Sequence, residues 1–406
     1  MNEELKNIFR VFDEQNNELQ RKLQQDLTAV IELLKTESKD EPCTDLKTEK
    51  PTVEAHELKT VDIGLIVHAS RHHWFIAMKQ IMQEVARKYK KRMVLFTVND
   101  IDLDKSKIDN AVLLDGSKEE VVNSQIPPLI FNFVLHSKTS SVSKMRKLRM
   151  AKHIKVINPI NKFYQNVLFD MISGITQTND FLLPYIMLTA TSLKTFSKKH
   201  DRFYVLPQRA KKKCRAIVIK KVNSNEDSEQ YEIKLGNFRQ VVVGEKLYKS
   251  LKKLVRDKKC MLVKDPLPVN WNYSPLEIRG YVQKNINGQW ELLDLIAKKE
   301  IFAKDSIYDG STGELAEILL EIFPDQLSNL KKKIHDAAID ASLILDFYIP
   351  NIGSCYFDFI VDLDANPYLL RVGGAEQENF LYEHSLTWHK YILNIGLYLI
   401  FLSNKD

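Results

Sequence analysis

The stretch from Phe357 to Phe380 reads FDFIVDLDANPYLLRVGGAEQENF, and it decides how the fold is interpreted. Two apolar runs flank the polar residues DLDAN, a pattern that predicts two antiparallel strands joined by a tight turn. Asp362 and Asp364 fall at this turn, where acids commonly accept hydrogen bonds from nearby backbone amides. Asp358 falls in the first strand, and the second strand carries Arg371 where a metal-dependent enzyme would place another acid. The stretch therefore raises the question of a lost metal site.

Upstream of this stretch, one region alternates between strand and helix patterns. Short apolar runs at 61–67, 93–98, 129–134 and 154–156 predict buried strands, and a helical pattern covers Phe75–Tyr89. Alternation of this kind predicts a small α/β domain with a parallel sheet, here over residues 61–158.

The rest of the chain, residues 159–406, predicts an α+β region. The pattern favours helices over 160–201, 245–257, 325–346 and 383–402, and strands at 202–206, 215–222, 230–236 and 260–264. The segments 276–284 and 289–299 flank Asn287-Gly288, which predicts a hairpin. A smaller lobe over about residues 202–265 is expected within this region.

The amino-terminal part has a different character. Apolar residues recur at steps of three, four and seven over residues 1–37, which predicts an amphipathic helix. Two interpretations stay open, a helix that pairs two copies of the chain and a helix that docks on the main body. Residues 38–60 are polar, contain two prolines and show no period, so they are interpreted as a linker.

Composition limits the classes of function. The chain carries a formal charge of +6, with lysine clusters at 211–213, 252–253, 258–259 and 331–333. Such clusters attract nucleic acid, anionic envelope polymers or nucleotides, although a solvated surface is the simpler interpretation and no specific nucleic-acid motif is present. Four scattered cysteines fit a reducing cytoplasm. The charged first residues do not resemble a secretory signal, and the apolar run 391–402 is too short to span a bilayer.

Four segments resemble the YheC/YheD family, ATP-grasp proteins associated with bacterial endospore coats. They are VINPINKFYQNVL (156–168), FLLPYIMLTATSLKTFSKKHDRFYVLP (181–207), LEIRGYVQKNINGQW (276–290) and YFDFIVDLDANPYLLRVGGAEQ (356–377). Their order along the chain also matches. The resemblance implies a pre-ATP-grasp domain followed by two α+β lobes, with ATP held between the lobes.

The resemblance also implies positions for ATP and magnesium ligands. Lys162 occupies the place of the first phosphate-binding lysine, but Leu206 replaces the second. The loop that is glycine-rich in the family contains Lys211, Lys212 and Lys213, and Lys264 stands where the family has Gln. Arg279 matches a family arginine that could bind phosphate, or it could form a cross-strand ion pair.

At the metal site, the resemblance assigns Asp358 to the first acid, a weak candidate ligand. Arg371 replaces the glutamate that bridges two magnesium ions, and Gly373 replaces an asparagine. A guanidinium keeps its positive charge at every physiological pH, so it repels a dication. We therefore expect no catalytic residues, no resident metal and no cofactor, with ATP and magnesium as candidate cofactors if activity is retained.

The sequence thus predicts a degenerate ATP-grasp protein without ligase activity. Its sporulation context, as a cytoplasmic mother-cell or coat-associated component with a coat or envelope partner, comes from the resemblance alone. Two alternatives stay open. One is an active carboxylate–amine ligase with relocated ligands, and the other is an interaction module that acts or self-associates through residues 1–37.

Overall fold

The computed structural model describes residues 58–68, 73–114, 120–136, 138–174, 179–209, 216–223, 229–236, 238–256, 258–271, 274–298, 315–375 and 385–405. His56–Asp406 forms one compact unit. The predicted helix over residues 1–37 lies outside the described residues, as do Lys211, Lys212 and Lys213. The domain boundaries drawn from the sequence stay predictions.

The first sheet has seven strands in the order β3-β4-β2-β1-β6-β7, with β5 paired to β4. Its strands are Ile63–Ile66 (β1), Met93–Phe96 (β2), Ile101–Asp102 (β3), Lys107–Leu113 (β4), Glu120–Gln125 (β5), Leu129–Asn132 (β6) and Lys155–Ile157 (β7). The predicted parallel sheet is present as β2, β1, β6 and β7. The antiparallel extension β3–β5 was not predicted, because short strands rich in Asp, Asn and Lys lack an apolar period. Helices His73–Tyr89 (α1) and Thr139–Met150 (α2) complete this part.

The second sheet has six antiparallel strands in the order β12-β11-β10-β9-β13-β8. They are Tyr185–Met187 (β8), Arg202–Pro207 (β9), Ile217–Asn223 (β10), Gln230–Leu235 (β11), Phe238–Val243 (β12) and Cys260–Lys264 (β13). We call this sheet and its helices Ala190–Lys199 (α4) and Gly244–Val255 (α5) the lid lobe.

The region 160–201, predicted to be helical, is only partly so. Among its described residues, Gln165–Ser173 (α3) and α4 are α-helical, and β8 lies between them as an edge strand. Pro184 explains the break, because proline has no N–H to donate and disfavours the helical conformation of the residue before it. The carbonyl of Pro184 instead accepts a hydrogen bond from the backbone N–H of Lys264.

The third sheet contains the quoted stretch. Its strands are Glu277–Lys284 (β16), Trp290–Lys298 (β17), Ser354–Val361 (β18) and Pro367–Gly373 (β19), in the order β17-β16-β18-β19. A separate two-stranded ribbon pairs Asn270–Trp271 (β14) with Ser274–Pro275 (β15). Both predicted hairpins, β16–β17 and β18–β19, are confirmed. Gly288 turns the first hairpin with a φ of +75°, a conformation that glycine adopts without strain.

Three further helices cover the third sheet and the first one. They are Leu315–Ile322 (α6), Leu327–Tyr348 (α7) and Ser385–Ser403 (α8). The apolar residues of α8 belong to one core with α1 and β16, which explains why a terminal helix is so apolar. None of the helices in the described part of the chain is long and apolar enough to cross a membrane.

The lid sheet separates two cores by the alternation of its side chains. Phe203, Val205 and Leu262 pack with α4 and α5. Tyr204 and Leu206, on the opposite face, belong to a core that includes the third sheet. One face of the lid sheet therefore meets the carboxyl-terminal lobe, and the other face carries its two helices.

Candidate functional site

Asp358 lies at the centre of a buried charge cluster on the third sheet. It faces Arg279 across β16–β18 and Arg371 across β18–β19, so the two arginines flank it on neighbouring strands. Nε of Arg279 donates to Oδ1 at 2.6 Å, and its Nη2 donates to Oδ2 at 2.9 Å. Nε of Arg371 donates to Oδ2 at 2.6 Å, and Nη2 of Arg371 lies 2.6 Å from the same oxygen. Both oxygens of Asp358 are therefore committed to guanidinium groups.

The cluster also contains Tyr356 and Glu277. The ring of Tyr356 lies against both guanidinium groups, with its centroid 4.0 Å from Cζ of Arg279 and 5.6 Å from Cζ of Arg371. Glu277 is buried and acts electrostatically on Arg371. Two arginines and two acids thus balance in charge, which is how a protein accommodates ions away from water.

Arg371 is the one member of the ion pairs with Asp358 that reaches partly toward solvent. Its side chain is 15% exposed, whereas the side chains of Arg279 and Asp358 are essentially inaccessible. Burial lowers the pKa of Arg371, but the charges of Asp358, Tyr356 and Glu277 outweigh that effect and raise the pKa above its ordinary value. The guanidinium is therefore cationic at any pH the protein can meet.

Gly373 stands beside this cluster, and the space next to it is filled. A Cβ atom built on Gly373 would lie 2.1 Å from Cζ of Tyr356, its partner across the strand pair. The aromatic ring therefore occupies the volume that an asparagine side chain at this position would need. Sequence reasoning missed Tyr356, because its place follows from the β18–β19 register and not from any motif.

Three asparagines hold the segment before α3 against the third sheet. Oδ1 of Asn158 accepts hydrogen bonds from the backbone N–H groups of Gly353 and Ser354, at 2.8 and 3.0 Å. Oδ1 of Asn161 accepts from Ala375 N–H at 2.9 Å, and Nδ2 of Asn132 donates to the carbonyl of Asn158 at 3.0 Å. The Asn-Pro stretch that carried the resemblance therefore fixes where the backbone of Lys162 lies relative to β19.

Two other predicted positions, Lys162 and Lys264, form no hydrogen bond or ion pair with the described residues of the cluster. Lys162 and Lys264 are both exposed, the first just before α3 and the second at the end of β13. Leu206 is buried in the core shared by the lid and the third sheet. Of the predicted binding residues in the described part of the chain, the structure brings together only Arg279 and Asp358. Lys211, Lys212 and Lys213 lie outside the described residues.

The residues of this cluster do not fit magnesium. Hard divalent cations need several oxygen ligands, and the carboxylate of Asp358 already accepts from two guanidinium groups. Within the described ranges, no group of three or more His, Cys, Asp or Glu side chains is arranged to hold a metal ion. Asp362 serves the turn instead, as predicted, accepting from the N–H groups of Asp364 and Asn366.

Comparisons with known proteins give one family match and several structural likenesses. A family model described as YheC/D like ATP-grasp matches residues 153–402. Two solved structures of N5-carboxyaminoimidazole synthetase from Staphylococcus aureus, one complexed with ADP, have 11% identity and TM-scores of 0.44 and 0.42, covering 83% of this chain and 77% of theirs. The C-terminal domain of K. lactis Pby1, an ATP-grasp enzyme that interacts with the mRNA decapping enzyme Dcp2, has 11% identity and a TM-score of 0.44, covering 84% of this chain and 91% of that one. No curated protein matches the chain.

Proposed function

The chain belongs to the YheC/D-like ATP-grasp family, and we propose that it is a non-catalytic member of it, in which an internal ion-pair cluster has replaced the magnesium site. The observation that carries this proposal is the double pairing of Asp358 with Arg279 and Arg371. An acid held by two cations gains nothing by exchanging them for a hydrated metal ion, since the exchange would take from both guanidinium groups the carboxylate that they contact.

The role of the cluster in this proposal is structural. In an ATP-grasp enzyme of the kind the sequence resembles, magnesium would neutralise the acids of the terminal strand pair. Arg371 supplies that positive charge here from within the chain, and the ring of Tyr356 covers both guanidinium groups. The third sheet then needs no metal to balance Asp358 and Glu277, so the fold is retained while ligation chemistry is lost.

The test is titration of the purified full-length chain with ATP, by calorimetry and thermal shift, with magnesium and with a chelator. The proposal expects no magnesium-dependent heat, no magnesium-dependent rise in Tm and no ADP release. Saturable binding that needs magnesium, or ADP formed with any carboxylate acceptor, would overturn it and favour a ligase with relocated ligands. ATP binding without magnesium, through Lys162, Lys264 and Lys211–Lys213, is compatible with the proposal.

The biological setting we propose is spore formation, as a coat-associated or assembly component in the mother-cell cytoplasm. Its support is the resemblance of the four quoted segments to endospore coat-associated YheC/YheD proteins. A fluorescent fusion produced in a sporulating host provides the test. Recruitment to the developing spore surface is expected, and fluorescence that stays uniform through sporulation would contradict this part of the proposal without affecting the lost metal site.

A further inference from the structure

The lid lobe holds far more positive charge than the rest of the chain. Residues 185–264, from the start of β8 to the end of β13, contain 21 Lys and Arg against 7 Asp and Glu, a net charge of +14. The whole chain carries +6, so all other residues together carry −8. A lobe with this imbalance produces a strong positive potential, of the kind seen on proteins that bind polyanions.

Much of this charge lies on the two helices of the lid lobe. The outward side of α5 carries four exposed lysines, Lys246, Lys249, Lys252 and Lys253. The inward side of the same helix buries Leu247, Leu251 and Val255, so its polar and apolar sides are sharply divided. We call the outward sides of α4 and α5 together the lysine face.

Helix α4 contributes to the same lysine face. Lys194, Lys198 and Lys199 are exposed on it, while Leu193 and Phe196 pack into the core that also holds Leu247 and Leu251 of α5. Because both helices share one core beneath them, they lie on the same side of the lid sheet. Six of their seven lysines lie on that side, while Lys199, at the end of α4, borders a cavity that Asp170 and Ser173 of α3 also line.

Acids of the lobe do little to neutralise this surface. In the described part of the chain, none of the seven lysines forms an ion pair. Hydrogen bonds from Lys221 and Tyr231 lower the pKa of Glu229, and the charge of Lys198 lowers it further, so this one acid is shared between Lys221 and the lysine face. Glu245 is the only acid on α5. Seven lysines of one sign repel each other, and this repulsion would be relieved by an external polyanion.

Apart from Lys199 at its edge, the lysine face points away from the cleft between the lobes. Tyr204, Leu206, Met261 and Val263, on the other side of the lid sheet, pack in the core of the carboxyl-terminal lobe. A nucleotide held between the lobes would be on that side, separated from the lysine face by the sheet. An anion that binds the lysine face is therefore a different one from the nucleotide of the ATP-grasp cleft.

The side chains of the lysine face limit the classes of partner that it can bind. None of the large exposed apolar residues in the described chain lies on α4 or α5, so the face has nothing to insert into a lipid layer. Its aromatic residues, Phe196 and Tyr248, are buried or half-buried, so bases of a single strand have no exposed ring to stack on. Lysine acts as a point charge that meets phosphates without demanding a fixed geometry.

We propose that the lysine face of the lid lobe binds duplex nucleic acid through its phosphate backbone, without reading sequence. Duplex DNA has one phosphate charge per ~1.7 Å of axis, and its affinity for a cationic surface falls with salt because counterions are released on binding. The proposal is independent of the proposed loss of magnesium chemistry and concerns a different surface.

The test measures binding of the full-length chain to a fluorescent 20-base-pair duplex by anisotropy, in a series of KCl concentrations and without ATP or magnesium. Two triple variants remove three charges each from the lysine face, Lys246→Gln/Lys249→Gln/Lys253→Gln and Lys194→Gln/Lys198→Gln/Lys199→Gln. A matched control, Arg146→Gln/Lys147→Gln/Arg149→Gln, removes three exposed charges from α2. Gln has nearly the helix propensity of Lys and Arg, so folding should persist and is checked by circular dichroism.

Each lysine-face variant should reduce the slope of log K against log salt by up to about 2.7, which is 0.9 for each phosphate that the variant no longer neutralises. The α2 control should keep the wild-type slope. If the slope fell equally in all three variants, only the total charge of the chain would matter, and the proposal would be overturned. The proposal would also be overturned if the chain did not bind the duplex at 50 mM KCl. It would likewise be overturned if the chain sedimented with anionic phospholipid vesicles but did not bind the duplex.

Discussion

Arg279 and Asp358 are direct partners on adjacent antiparallel strands, and their side chains form a bidentate ion pair with contacts of 2.6 and 2.9 Å. Fork-to-fork pairing of this kind is among the strongest polar contacts in proteins. Arg371 approaches the same carboxylate from the next strand. The consequence is that one acid anchors three of the four strands of the third sheet.

Removing the charge of Asp358 should therefore destabilise the fold. Asp358→Asn keeps the shape of the side chain but leaves two buried guanidinium groups with too little negative charge, and we expect the free energy of unfolding to fall by about 3–5 kcal/mol. Urea unfolding followed by circular dichroism measures it. The control, Asp364→Asn at the exposed turn, should change the value by less than about 0.5 kcal/mol.

The same cluster provides an internal check. In the Asp358→Asn background, Arg371→Gln removes one of the two cations, which leaves Arg279 balanced by Glu277, and it should restore part of the missing stability. If the double variant were less stable than Asp358→Asn alone, repulsion between Arg279 and Arg371 would not be the reason why the carboxylate of Asp358 stabilises the fold.

Restoring the family asparagine at Gly373 should fail unless Tyr356 is also changed. The new Cβ would lie 2.1 Å from Cζ of Tyr356, so the ring would have to leave its place against Arg279. We expect Gly373→Asn to cost about 1–3 kcal/mol, as overpacking of a filled site usually does. In a Tyr356→Ala background, where the volume is vacant, the same substitution should cost much less. Equal costs in the two backgrounds, measured by urea unfolding, would contradict this account.

This overlap changes how the magnesium site should be rebuilt. Arg371→Glu with Gly373→Asn supplies the acid and amide that the resemblance implies at these positions, but the ring of Tyr356 remains in the way. The triple variant with Tyr356→Ala is the one expected to gain magnesium-dependent ATP affinity, measured by calorimetry. A gain in the double variant alone would mean that the ring moves more readily than its packing indicates.

The sequence predicted much of this arrangement, but not its central contact. The turn role of Asp362 and both hairpins followed from local patterns, whereas the replacement of an acid by Arg371 follows from the family resemblance and stays a prediction. The commitment of Asp358 to two arginines, and the filling of the Gly373 site by Tyr356, depend on cross-strand register, which a one-residue slip would abolish. Strand β8 was not predicted, because an edge strand of three residues next to Pro184 is too short to show the alternation of apolar and polar residues that marks a strand.

The thiol of Cys355 should be unreactive in the native protein. Burial raises the pKa of Cys355 to about 12, from an ordinary value near 9. At pH 9 the unfolded chain would hold about half of this thiol as thiolate, whereas the folded chain would hold almost none. Iodoacetamide labelling at pH 9, followed by mass spectrometry of the peptide, should modify Cys355 in 8 M urea and not without it. Rapid labelling of the folded chain would contradict the burial.

The raised pKa of Cys355 also predicts that the stability of the fold depends on pH. Because the folded pKa lies above the unfolded one, the neutral thiol favours the folded state fully below about pH 9, and this stability is lost as the pH rises toward 12. Cys355→Ala has no group to ionise there. As the pH rises above 9, the wild type should therefore lose stability relative to Cys355→Ala. A difference in the free energy of unfolding that stays constant with pH would contradict the raised pKa of Cys355.

Asn158 offers the sharpest test of how the segment before Lys162 is held. Its side chain accepts from two backbone N–H groups and donates to the carbonyl of Ser354 at 2.7 Å, and its φ of +51° lies in the left-handed region. Asn158→Ala should destabilise the fold in two ways. It removes the hydrogen bonds of the amide group, which leaves buried backbone groups unpaired, and it places alanine in a left-handed conformation that is unfavourable for it. We expect the free energy of unfolding to fall by about 3–5 kcal/mol, from the costs of unsatisfied groups and of a left-handed residue.

Asn158→Gly separates the two contributions, since glycine adopts a positive φ freely but has no amide group. It should remain about 1 kcal/mol more stable than Asn158→Ala, and still well below wild type. Both variants are compared by urea unfolding of the full-length chain. If Asn158→Gly were as stable as wild type, the hydrogen bonds to Gly353 and Ser354 would contribute nothing, and the resemblance at the Asn-Pro stretch would reflect backbone conformation alone.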